Sequence, residues 1–511
     1  MTERTTVFPD WLASRAASMP DRTALVADGR SWTFAALDAD VTRTARRLAT
    51  LGVRAGDRIA ALLHNGSAAV LLPHAALRLG ATLVPLNVRL SEPELAWQLG
   101  DAAPQLLVAE SRTLARVENA RLEHPALVIV STDADGAALL GSAPLDVLDE
   151  VDTPLRLNHD ADAVLAIIYT SGTTGQPKGA MLTVANFWWS AIGSALNLGT
   201  HADDRWLACL PLFHVGGLSI VLRSAIYGIA AVVHDGFDAD TVNAAIDEGQ
   251  VTVVSVVAVM LQRMLDARGD RPYPPTLRCV LVGGGPVPRS LLERCASIGV
   301  PVMQTYGLTE ACSQVVTLAP EDAARRLGAA GKVLYPNEVR IAATTRPDER
   351  PDEAGEILVR GPIVMAGYSG WPDATSRTIV DGWLHTGDVG RLDAEGYLYV
   401  LDRRDDLIVT GGENVYPAEV EAVLLSHPSI TEAGVIGVAD ATWGQRVVAI
   451  VRIANTTGLA TPDASALEAH CQPRLAGYKM PREFRFVTEP LPRTASGKLR
   501  RAALREVVAT R

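Results

Sequence analysis

A loop of small polar residues and one lysine is the part of the sequence best suited to chemistry. Residues 169–179 read YTSGTTGQPKG and follow the apolar run 164–168, so we expect a strand to lead into the loop. Glycines let backbone N–H groups approach a polyphosphate, hydroxyl groups add donors, and a lysine adds charge. The loop lacks both the Gly-Lys-Ser/Thr ending of a P-loop and the G-x-G-x-x-G pattern of dinucleotide-binding folds. It predicts a different kind of phosphate site, with candidate residues Thr170, Ser171, Gly172, Thr173, Thr174 and Lys178.

Six further motifs follow this loop along the chain. They are residues 283–286 (GGGP), 304–310 (QTYGLTE), 382–388 (GWLHTGD), 401–405 (LDRRD), 411–417 (GGENVYP) and 492–498 (PRTASGK). In this order, and together with the first loop, they resemble the adenylate-forming family of acyl- and aryl-CoA ligases, luciferases and peptide-synthetase adenylation domains. The resemblance covers nearly the whole chain. One such motif can arise by chance, whereas the complete series in the family's order does not.

The resemblance implies where a nucleotide binds. The glycines after the strand at 279–282 would lie beside the adenine. Asp388 would accept hydrogen bonds from the ribose hydroxyls, and Arg403 would support the same sugar. Beyond the phosphate loop, the implied nucleotide-binding residues are Gly283, Gly284, Gly285, Gln304, Thr305, Tyr306, Gly307, Thr309, Asp388, Arg403 and Lys498.

The resemblance also assigns catalytic roles. Glu310, together with Thr170, would hold Mg²⁺, a hard ion that prefers carboxylate and phosphate oxygens. Thr309 would donate to the phosphate of the adenylate. Lys498 would bridge the acid and the α-phosphate as negative charge rearranges.

The resemblance implies a two-step reaction with ATP, Mg²⁺ and coenzyme A. The carboxylate attacks the α-phosphorus, which releases pyrophosphate and gives an acyl adenylate; a thiol then attacks the activated carbonyl and AMP leaves. The C-terminal domain alternates between two orientations, and the resemblance places the hinge at Asp405. In the second orientation, Gly411 and Gly412 would line the channel for the pantetheine arm, where glycines allow a close backbone approach.

Segments around the expected acid pocket resemble one branch of the family, the 2-succinylbenzoate–CoA ligases of menaquinone biosynthesis. That acid keeps a second carboxylate on its ring, which needs polar partners in an otherwise apolar pocket. Ser313 and Gln314 are the expected partners and Arg223 a weaker one; this pair argues against the apolar tunnel of a fatty-acid ligase. The resembling segments are residues 210–219, 223–228, 309–318 and 327–332, and the predicted pocket residues are His214, Val215, Arg223, Gly307, Leu308, Ser313 and Gln314.

Three alternatives stay open from the sequence. The acid could be another aryl or short- to medium-chain acid, such as a benzoate or malonate. The acceptor could be a carrier protein instead of coenzyme A, and it would then be a separate partner. A relative that only binds ligands is disfavoured, because the residues that such proteins commonly lose are present, namely Lys178, Glu310, Asp388, Arg403 and Lys498.

The pattern of apolar residues predicts the scaffold that holds these motifs. Strands are expected at 58–63 and 82–86, and helices at 38–51 and 69–79, each helix followed by a glycine. Strand, helix, strand at this spacing favours a parallel sheet covered by helices. Further strands are expected at 252–257, 279–282 and 302–305, and the C-terminal segment predicts a helix at 417–426 and a strand at 432–438.

The length of 511 residues predicts more than one domain. Residues 354–400 change to short strands and turns, which indicates a small β-rich unit. The charged cluster 402–406 is typical of an exposed boundary. We therefore expect an α/β fold (α+β overall): a large N-terminal adenylation domain over 1–402 that binds ATP and the acid, and a small mobile C-terminal α+β domain over 403–511.

The composition of the chain limits the classes of partner that we expect it to bind. The net charge of −11 argues against nucleic acid or an anionic membrane as the main partner. We expect no membrane span and no signal peptide, hence a cytoplasmic protein. Five cysteines without a C-x-x-C pair indicate neither a disulfide framework nor a zinc site. The expected partners are a small carboxylic acid, ATP and coenzyme A, and the family resemblance allows a homodimer.

Overall fold

The computed structural model describes residues 6–117, 123, 125–170, 177–285, 287–323, 325–326, 328–343, 354–402, 407–453, 462–492, 499 and 501–509. Strands, numbered along the chain, are β1 (Val7–Pro9), β2 (Thr23–Ala27), β3 (Arg30–Thr33), β4 (Arg58–Leu62), β5 (Thr82–Pro85), β6 (Leu106–Ala109), β7 (Val128–Ser131), β8 (Asn158–Asp160), β9 (Val164–Thr170), β10 (Lys178–Thr183), β11 (Arg205–Ala208), β12 (Ala230–Val233), β13 (Val253–Val256), β14 (Cys279–Val282), β15 (Val302–Leu308), β16 (Ser313–Thr317), β17 (Lys332–Val333), β18 (Glu338–Ala343), β19 (Gly355–Arg360), β20 (Gly367–Tyr368), β21 (Ile379–Val380), β22 (Trp383–Leu392), β23 (Leu398–Asp402), β24 (Ile408–Thr410), β25 (Glu413–Val415), β26 (Ile430–Asp440), β27 (Gly444–Ile453) and β28 (Glu483–Val487).

The α-helices of the same described ranges are α1 (Trp11–Ser18), α2 (Phe34–Thr50), α3 (Ser67–Leu79), α4 (Glu92–Ala102), α5 (Ser111–Leu114), α6 (Ala134–Leu140), α7 (Val184–Leu198), α8 (Val215–Tyr227), α9 (Ala239–Asp247), α10 (Ala258–Arg268), α11 (Arg289–Ser297), α12 (Pro372–Thr378), α13 (Pro417–Leu425), α14 (Ala464–Cys471) and α15 (Arg501–Ala509). Among these described helices, none combines the length and the apolar character that a membrane crossing requires.

Seven strands form the first large sheet, in the order β20-β10-β9-β5-β4-β6-β7. The strands from β9 to β7 run parallel, as the strand–helix–strand pattern of the sequence predicted. Gly80 follows α3 in the left-handed conformation, with a φ of 72°, and so ends the helix where the sequence placed its stop. Strand β10 returns antiparallel to β9, so the phosphate loop joins two neighbouring strands at one end of the sheet.

Nine strands form the second large sheet, in the order β17-β16-β15-β14-β13-β11-β12-β2-β3. The six from β15 to β2 are parallel, and β16 and β3 pair antiparallel at either side of them. The two sheets share a core in which Leu12, Phe34, Leu48, Ile59 and Ile220 are essentially excluded from solvent. The three strands predicted at 252–257, 279–282 and 302–305 are confirmed as β13, β14 and the first half of β15.

A small antiparallel sheet follows, in the order β18-β19-β22-β21 with β23 paired to β22. It confirms the predicted β-rich unit, although it begins earlier, at Glu338. Its buried face, with Ile357, Val359 and Leu384, joins the same cluster as Tyr306 of β15. The unit is therefore packed directly beside the nucleotide motifs of the second sheet.

The C-terminal part of the chain (residues 407–509) has its own sheet, β25-β24-β27-β26, with β28 parallel to β27. Its core contains Val420 of α13, Val435 of β26, Ala449 of β27 and Leu467 of α14. The helix predicted at 417–426 and the strand predicted at 432–438 are confirmed. The boundary proposed at 402/403 adjoins residues 403–406, which lie outside the described ranges, so it stays a prediction.

Candidate active site

The ends of the phosphate loop are held together by the sheet. Thr170 is the last residue of β9 and Lys178 the first of β10, and the two lie opposite each other in the antiparallel register. The strand pairing thus brings a hydroxyl and a cation to the same edge. Ser171, Gly172, Thr173 and Thr174 fall between them, outside the described residues, and their role stays a prediction.

The Glu310 carboxylate joins three segments of the chain. Its Oε1 atom accepts hydrogen bonds from Thr170 Oγ1 at 3.2 Å and from Tyr368 Oη at 2.9 Å. Lys178 Nζ lies 5.6 Å from the centre of the Tyr368 ring. Thr309 precedes this glutamate in the turn at 309–311. The donors fix the carboxylate at the place where the phosphate loop ends.

This arrangement suits magnesium only with help from phosphate oxygens. Within the described ranges, no group of three or more His, Cys, Asp or Glu side chains could hold a metal. Mg²⁺ in nucleotide sites keeps several waters and takes one or two carboxylates plus substrate phosphates. Glu310, with the Thr170 hydroxyl beside it, fits that pattern, because it offers one carboxylate next to the phosphate loop.

Asp388 is oriented by a buried tyrosine. Tyr306 Oη donates to Asp388 Oδ2 at 2.8 Å, and the Asp388 backbone N–H donates to Thr386 Oγ1 at 3.1 Å. The two partners belong to β15 and to β22 of the small sheet, so the aspartate is held between separate elements. A fixed carboxylate suits the recognition of paired ribose hydroxyls. Arg403, the other implied ribose contact, lies outside the described residues.

The motif at residues 304–310 leads into a strained turn that depends on glycine. The register of β15 and β16 shifts at Gly307, where a Cβ atom would lie 1.6 Å from the carbonyl oxygen of Ser313. A side chain at this position would therefore displace the backbone. Cys312 and Ser313 have φ angles of 48° and 85°, a region that non-glycine residues rarely adopt. The turn places Gln314 directly opposite Gly307.

Two buried polar side chains face the acid pocket without full hydrogen bonding. Gln314 is 3% exposed, and neither atom of its amide has a partner among the described residues. Arg223 is also 3% exposed; one Nη atom donates to Ser190 Oγ at 2.9 Å, while Nε is without a partner in the described part of the chain. Burial lowers the pKa of Arg223. Buried polar groups in proteins are normally hydrogen-bonded, so this pair is suited to bind a polar group of a substrate.

The C-terminal part closes the opposite side of the pocket. Glu413 accepts hydrogen bonds from His214 Nε2 and from Arg89 Nη1, each at 2.9 Å. Burial alone would raise the pKa of the Glu413 carboxyl, but the charges of His214 and Arg89 outweigh it and the pKa is lowered. Gly411 and Gly412 lie just before this glutamate. Gly411 has a φ of 58°, and a Cβ atom there would lie 2.9 Å from the Trp443 ring.

These residues enclose one cavity of about 310 Å³. Four predicted residues lie outside its lining, namely Lys178, Gly285, Gln304 and Tyr306. The Gln304 amide donates to the Ala329 carbonyl, and the Tyr306 hydroxyl donates to Asp388, which does line the cavity. Arg403, Asp405 and Lys498 lie outside the described residues. The predicted residues that do line it are Thr170, His214, Val215, Arg223, Gly283, Gly284, Thr305, Gly307, Leu308, Thr309, Glu310, Ser313, Gln314, Asp388, Gly411 and Gly412.

Several lining residues were missed from the sequence, and two of them contact predicted residues. Tyr368 donates a hydrogen bond to Glu310, while Glu413 lies inside the 411–417 motif next to the predicted glycines and accepts one from His214. The only sequence signal for Glu413 was its place in that motif. Tyr368 has none beyond the aromatic side chain, because its contact with Glu310 depends on the pairing of β20 with β10.

Comparison with known proteins decides the family. The pattern of the AMP-binding enzyme family matches residues 12–369, and that of the AMP-binding enzyme C-terminal domain matches residues 419–498. The chain belongs to this family.

Relatives within the family share most of the sequence. A 2-succinylbenzoate–CoA ligase from Geobacillus kaustophilus strain HTA426 is 49% identical over 98% of both chains. The o-succinylbenzoate CoA synthetase of Bacillus subtilis is 42% identical in two solved states that cover 98% of this chain. A double mutant with a product analogue superimposes with a TM-score of 0.90 over 99% of that chain, and the complex with the acyl-adenylate intermediate with 0.73 over 98%. The predicted α/β architecture is confirmed by these superpositions.

Proposed function

We propose that the chain is an AMP-forming acid–thiol ligase of menaquinone biosynthesis. It converts 2-succinylbenzoate, ATP and coenzyme A to 2-succinylbenzoyl-CoA, AMP and pyrophosphate. Relatives support this choice, because 2-succinylbenzoate–CoA ligases 49% and 45% identical to the chain match it over 98% of its length. The single observation within the molecule that carries the choice of acid is the buried, incompletely bonded pair Gln314 and Arg223.

The pair fits the carboxylate that the reaction leaves on the ring. Arg223 brings a permanent positive charge into a desolvated pocket, and Gln314 adds two donors and an acceptor. A carboxylate accepts hydrogen bonds from both groups and neutralises the buried charge. Benzoate or a fatty acid would leave these groups unpaired, which costs binding free energy. Ser313, on the same turn, belongs to the same subsite.

Adenylation takes place around Glu310. An oxygen of the acid forms a bond to the α-phosphorus, and the bond between that phosphorus and pyrophosphate breaks. Glu310 with Thr170 would hold Mg²⁺, which neutralises phosphate charge when bound. Asp388, oriented by Tyr306, accepts from the ribose hydroxyls. In this proposal Thr309 and Lys498 stabilise the charge that develops on the α-phosphate.

Thioester formation takes place where the C-terminal part meets the pocket. The thiol sulfur bonds to the acyl carbon, the bond to AMP breaks, and the thiol proton is released. Gly411 and Gly412 line the cavity just before Glu413, the partner of His214, and in this proposal they form the channel for the pantetheine arm. The better superposition on the product-analogue state than on the acyl-adenylate state supports this assignment of the orientation.

The same proposal includes the organisation of the chain. We assign the adenylation domain to 1–402 and the mobile domain to 403–511, with the hinge at Asp405. A cytoplasmic location suits a ligase of soluble substrates. A homodimer is tested by light scattering of the purified protein.

Acid-dependent ATP–pyrophosphate exchange tests the proposed function. The wild-type protein should show exchange with 2-succinylbenzoate and little with benzoate or malonate. Arg223→Met should selectively weaken the response to 2-succinylbenzoate. Exchange that is equally strong with benzoate in both proteins would contradict the assignment of the acid, and no exchange with any acid would contradict ligase activity itself.

A further inference from the structure

A buried lysine bridges the two parts of the chain at the edge of the cavity. The side chain of Lys479 is 2% exposed. Its Nζ atom lies 2.5 Å from Glu94 Oε1 and 2.6 Å from Glu419 Oε1. Glu94 belongs to α4 in the N-terminal part (residues 6–402). Glu419, on α13, and Lys479, which lies between α14 and β28, both belong to the C-terminal part. One lysine is thus held by one carboxylate from each side.

The charges of the cluster favour the contact between the two parts. Burial raises the pKa of Glu419 to about 7 despite the nearby lysine. Burial would also raise the pKa of Glu94, but Lys479 and the Ser91 donors outweigh it, and this pKa is lowered. At neutral pH the fully ionised pair is therefore Lys479 with Glu94. The second oxygen of Glu419 has no hydrogen-bond partner among the described residues.

Glu94 is a rigid anchor for this pair. Its Oε2 atom accepts hydrogen bonds from the backbone N–H and the hydroxyl of Ser91, both at 2.7 Å, in a capping box at the start of α4. Oε1 is left to face Lys479. The position of Lys479 is consequently tied to the first turn of a helix that packs on the first large sheet.

The ion pair is part of the orientation seen here. In this orientation Gly411, Gly412 and Glu413 line the cavity, and Lys479 contacts Glu94. The Bacillus subtilis synthetase superimposes with TM-scores of 0.90 and 0.73 in its two states at nearly equal coverage, so that protein has two different arrangements. Moving the C-terminal part away would separate Lys479 from Glu94. A buried ion pair that loses one partner leaves an uncompensated charge, which is strongly unfavourable.

We propose that Lys479 is a positioning residue for thioester formation, because its ion pair with Glu94 holds the orientation in which Gly411 and Gly412 line the cavity. The inference rests on the proposed two-step reaction. It assigns no contact with the reacting atoms to Lys479 or Glu94. It predicts that the pair affects one half-reaction and not the other.

The two half-reactions are measured separately to test it. Adenylation is followed by ATP–pyrophosphate exchange, and thiolysis by rapid mixing of supplied 2-succinylbenzoyl adenylate with coenzyme A. Glu94→Gln removes the charge but keeps an oxygen for the Ser91 cap. We expect thiolysis to slow about tenfold, since the second orientation is less populated, while exchange stays within about twofold. Glu94→Asp, which keeps the charge, should restore part of the thiolysis rate.

Glu419→Gln is the matched control, because it removes the other carboxylate and leaves the pair between the two parts. Thiolysis by this variant should change less than about threefold. Equal losses in both half-reactions of Glu94→Gln would overturn the proposal, and so would unchanged thiolysis. If Glu94→Gln does not fold, Lys479→Met replaces it with the same expectation. If the wild-type protein uses another acid, the proposed function fails, but the comparison is repeated with the adenylate of that acid and still decides the role of Lys479.

Discussion

The hydroxyl of Tyr368 lies 2.9 Å from the carboxylate of Glu310 and donates a hydrogen bond to it. Thr170 donates to the same oxygen at 3.2 Å. A residue from the short edge strand β20 therefore fixes the carboxylate assigned to magnesium. Substrate oxygens and the metal need this group in one orientation, so the contact is expected to matter for adenylation and not for thiolysis.

Replacing Tyr368 by phenylalanine tests this contact. Tyr368→Phe removes one hydrogen bond to a carboxylate, which is worth about 1.5–3 kcal/mol, so adenylation should slow by about ten- to a hundredfold. The rate of pyrophosphate exchange is measured as a function of Mg²⁺ concentration, and the variant should need more magnesium. Tyr397→Phe is the control, because its hydroxyl bonds to Asp322 away from the cavity. An unaltered magnesium dependence would remove Tyr368 from the site.

Substitution of Gln314 tests the acid pocket. Gln314→Leu keeps the volume of the side chain but removes its donors and acceptor, so the KM for 2-succinylbenzoate should rise about tenfold or more. The KM for ATP should be nearly unchanged, because the proposal assigns this lining residue to the acid and not to the nucleotide. Steady-state kinetics with each substrate varied in turn supplies both constants. The assignment is wrong if both KM values move together.

Lys498 is expected to act in only one half-reaction. Lys498→Ala removes the cation that would bridge the acid and the α-phosphate, so adenylation should fall at least about a hundredfold. Thiolysis of supplied 2-succinylbenzoyl adenylate should stay within about threefold of the wild-type rate. Parallel loss of both activities would be incompatible with a lysine that serves adenylation alone.

A buried histidine predicts how stability depends on pH. His74 is fully enclosed beside Asp10, Arg78 and His159, and burial lowers its pKa to about 4 from an ordinary value of 6.5. Below pH 6.5 the unfolded chain binds a proton that the folded chain does not. The contribution of His74, about 3 kcal/mol, is therefore complete above pH 6.5 and is lost as the pH falls towards 4.

Denaturant unfolding at pH 7.5 and 4.5 measures this effect. The unfolding midpoint of the wild-type protein should fall more between these two pH values than that of His74→Gln. Asp10 does not affect this comparison. Burial would raise the pKa of Asp10, but hydrogen bonds from His159 and Arg78 outweigh burial and hold the pKa well below its ordinary value. The contribution of Asp10 to the free energy of unfolding is therefore lost only at a lower pH. Identical changes in the two proteins would exclude His74 as the source.

Local patterns predicted most of the scaffold. The strand–helix–strand rhythm gave β4, α3 and β5 within one or two residues, because apolar periodicity and the glycine after α3 are properties of short segments. The motifs likewise located Glu310 and Asp388. Such signals need no knowledge of distant parts of the chain.

Contacts between distant segments could not be predicted from such local sequence patterns. Glu94 and Lys479 are 385 residues apart and meet only because the two parts of the chain pack together. Tyr368 reaches Glu310 through a strand of two residues, which is too short to show a periodicity. Arg223, predicted as the weaker partner of the acid, reaches the cavity lining through the packing of α8, which no local pattern shows.

The central claim is tested most directly by measuring the thioester product. Purified protein is supplied with Mg-ATP, coenzyme A and, in separate reactions, 2-succinylbenzoate, benzoate, malonate, or medium- and long-chain fatty acids, and thioester mass is recorded with pyrophosphate release. We expect kcat/KM for 2-succinylbenzoate to exceed that for every other acid by at least about a hundredfold, because the other acids would leave the buried Gln314 and Arg223 side chains without a hydrogen-bond partner. A higher kcat/KM for another acid, or no thioester from any of them, would contradict the account.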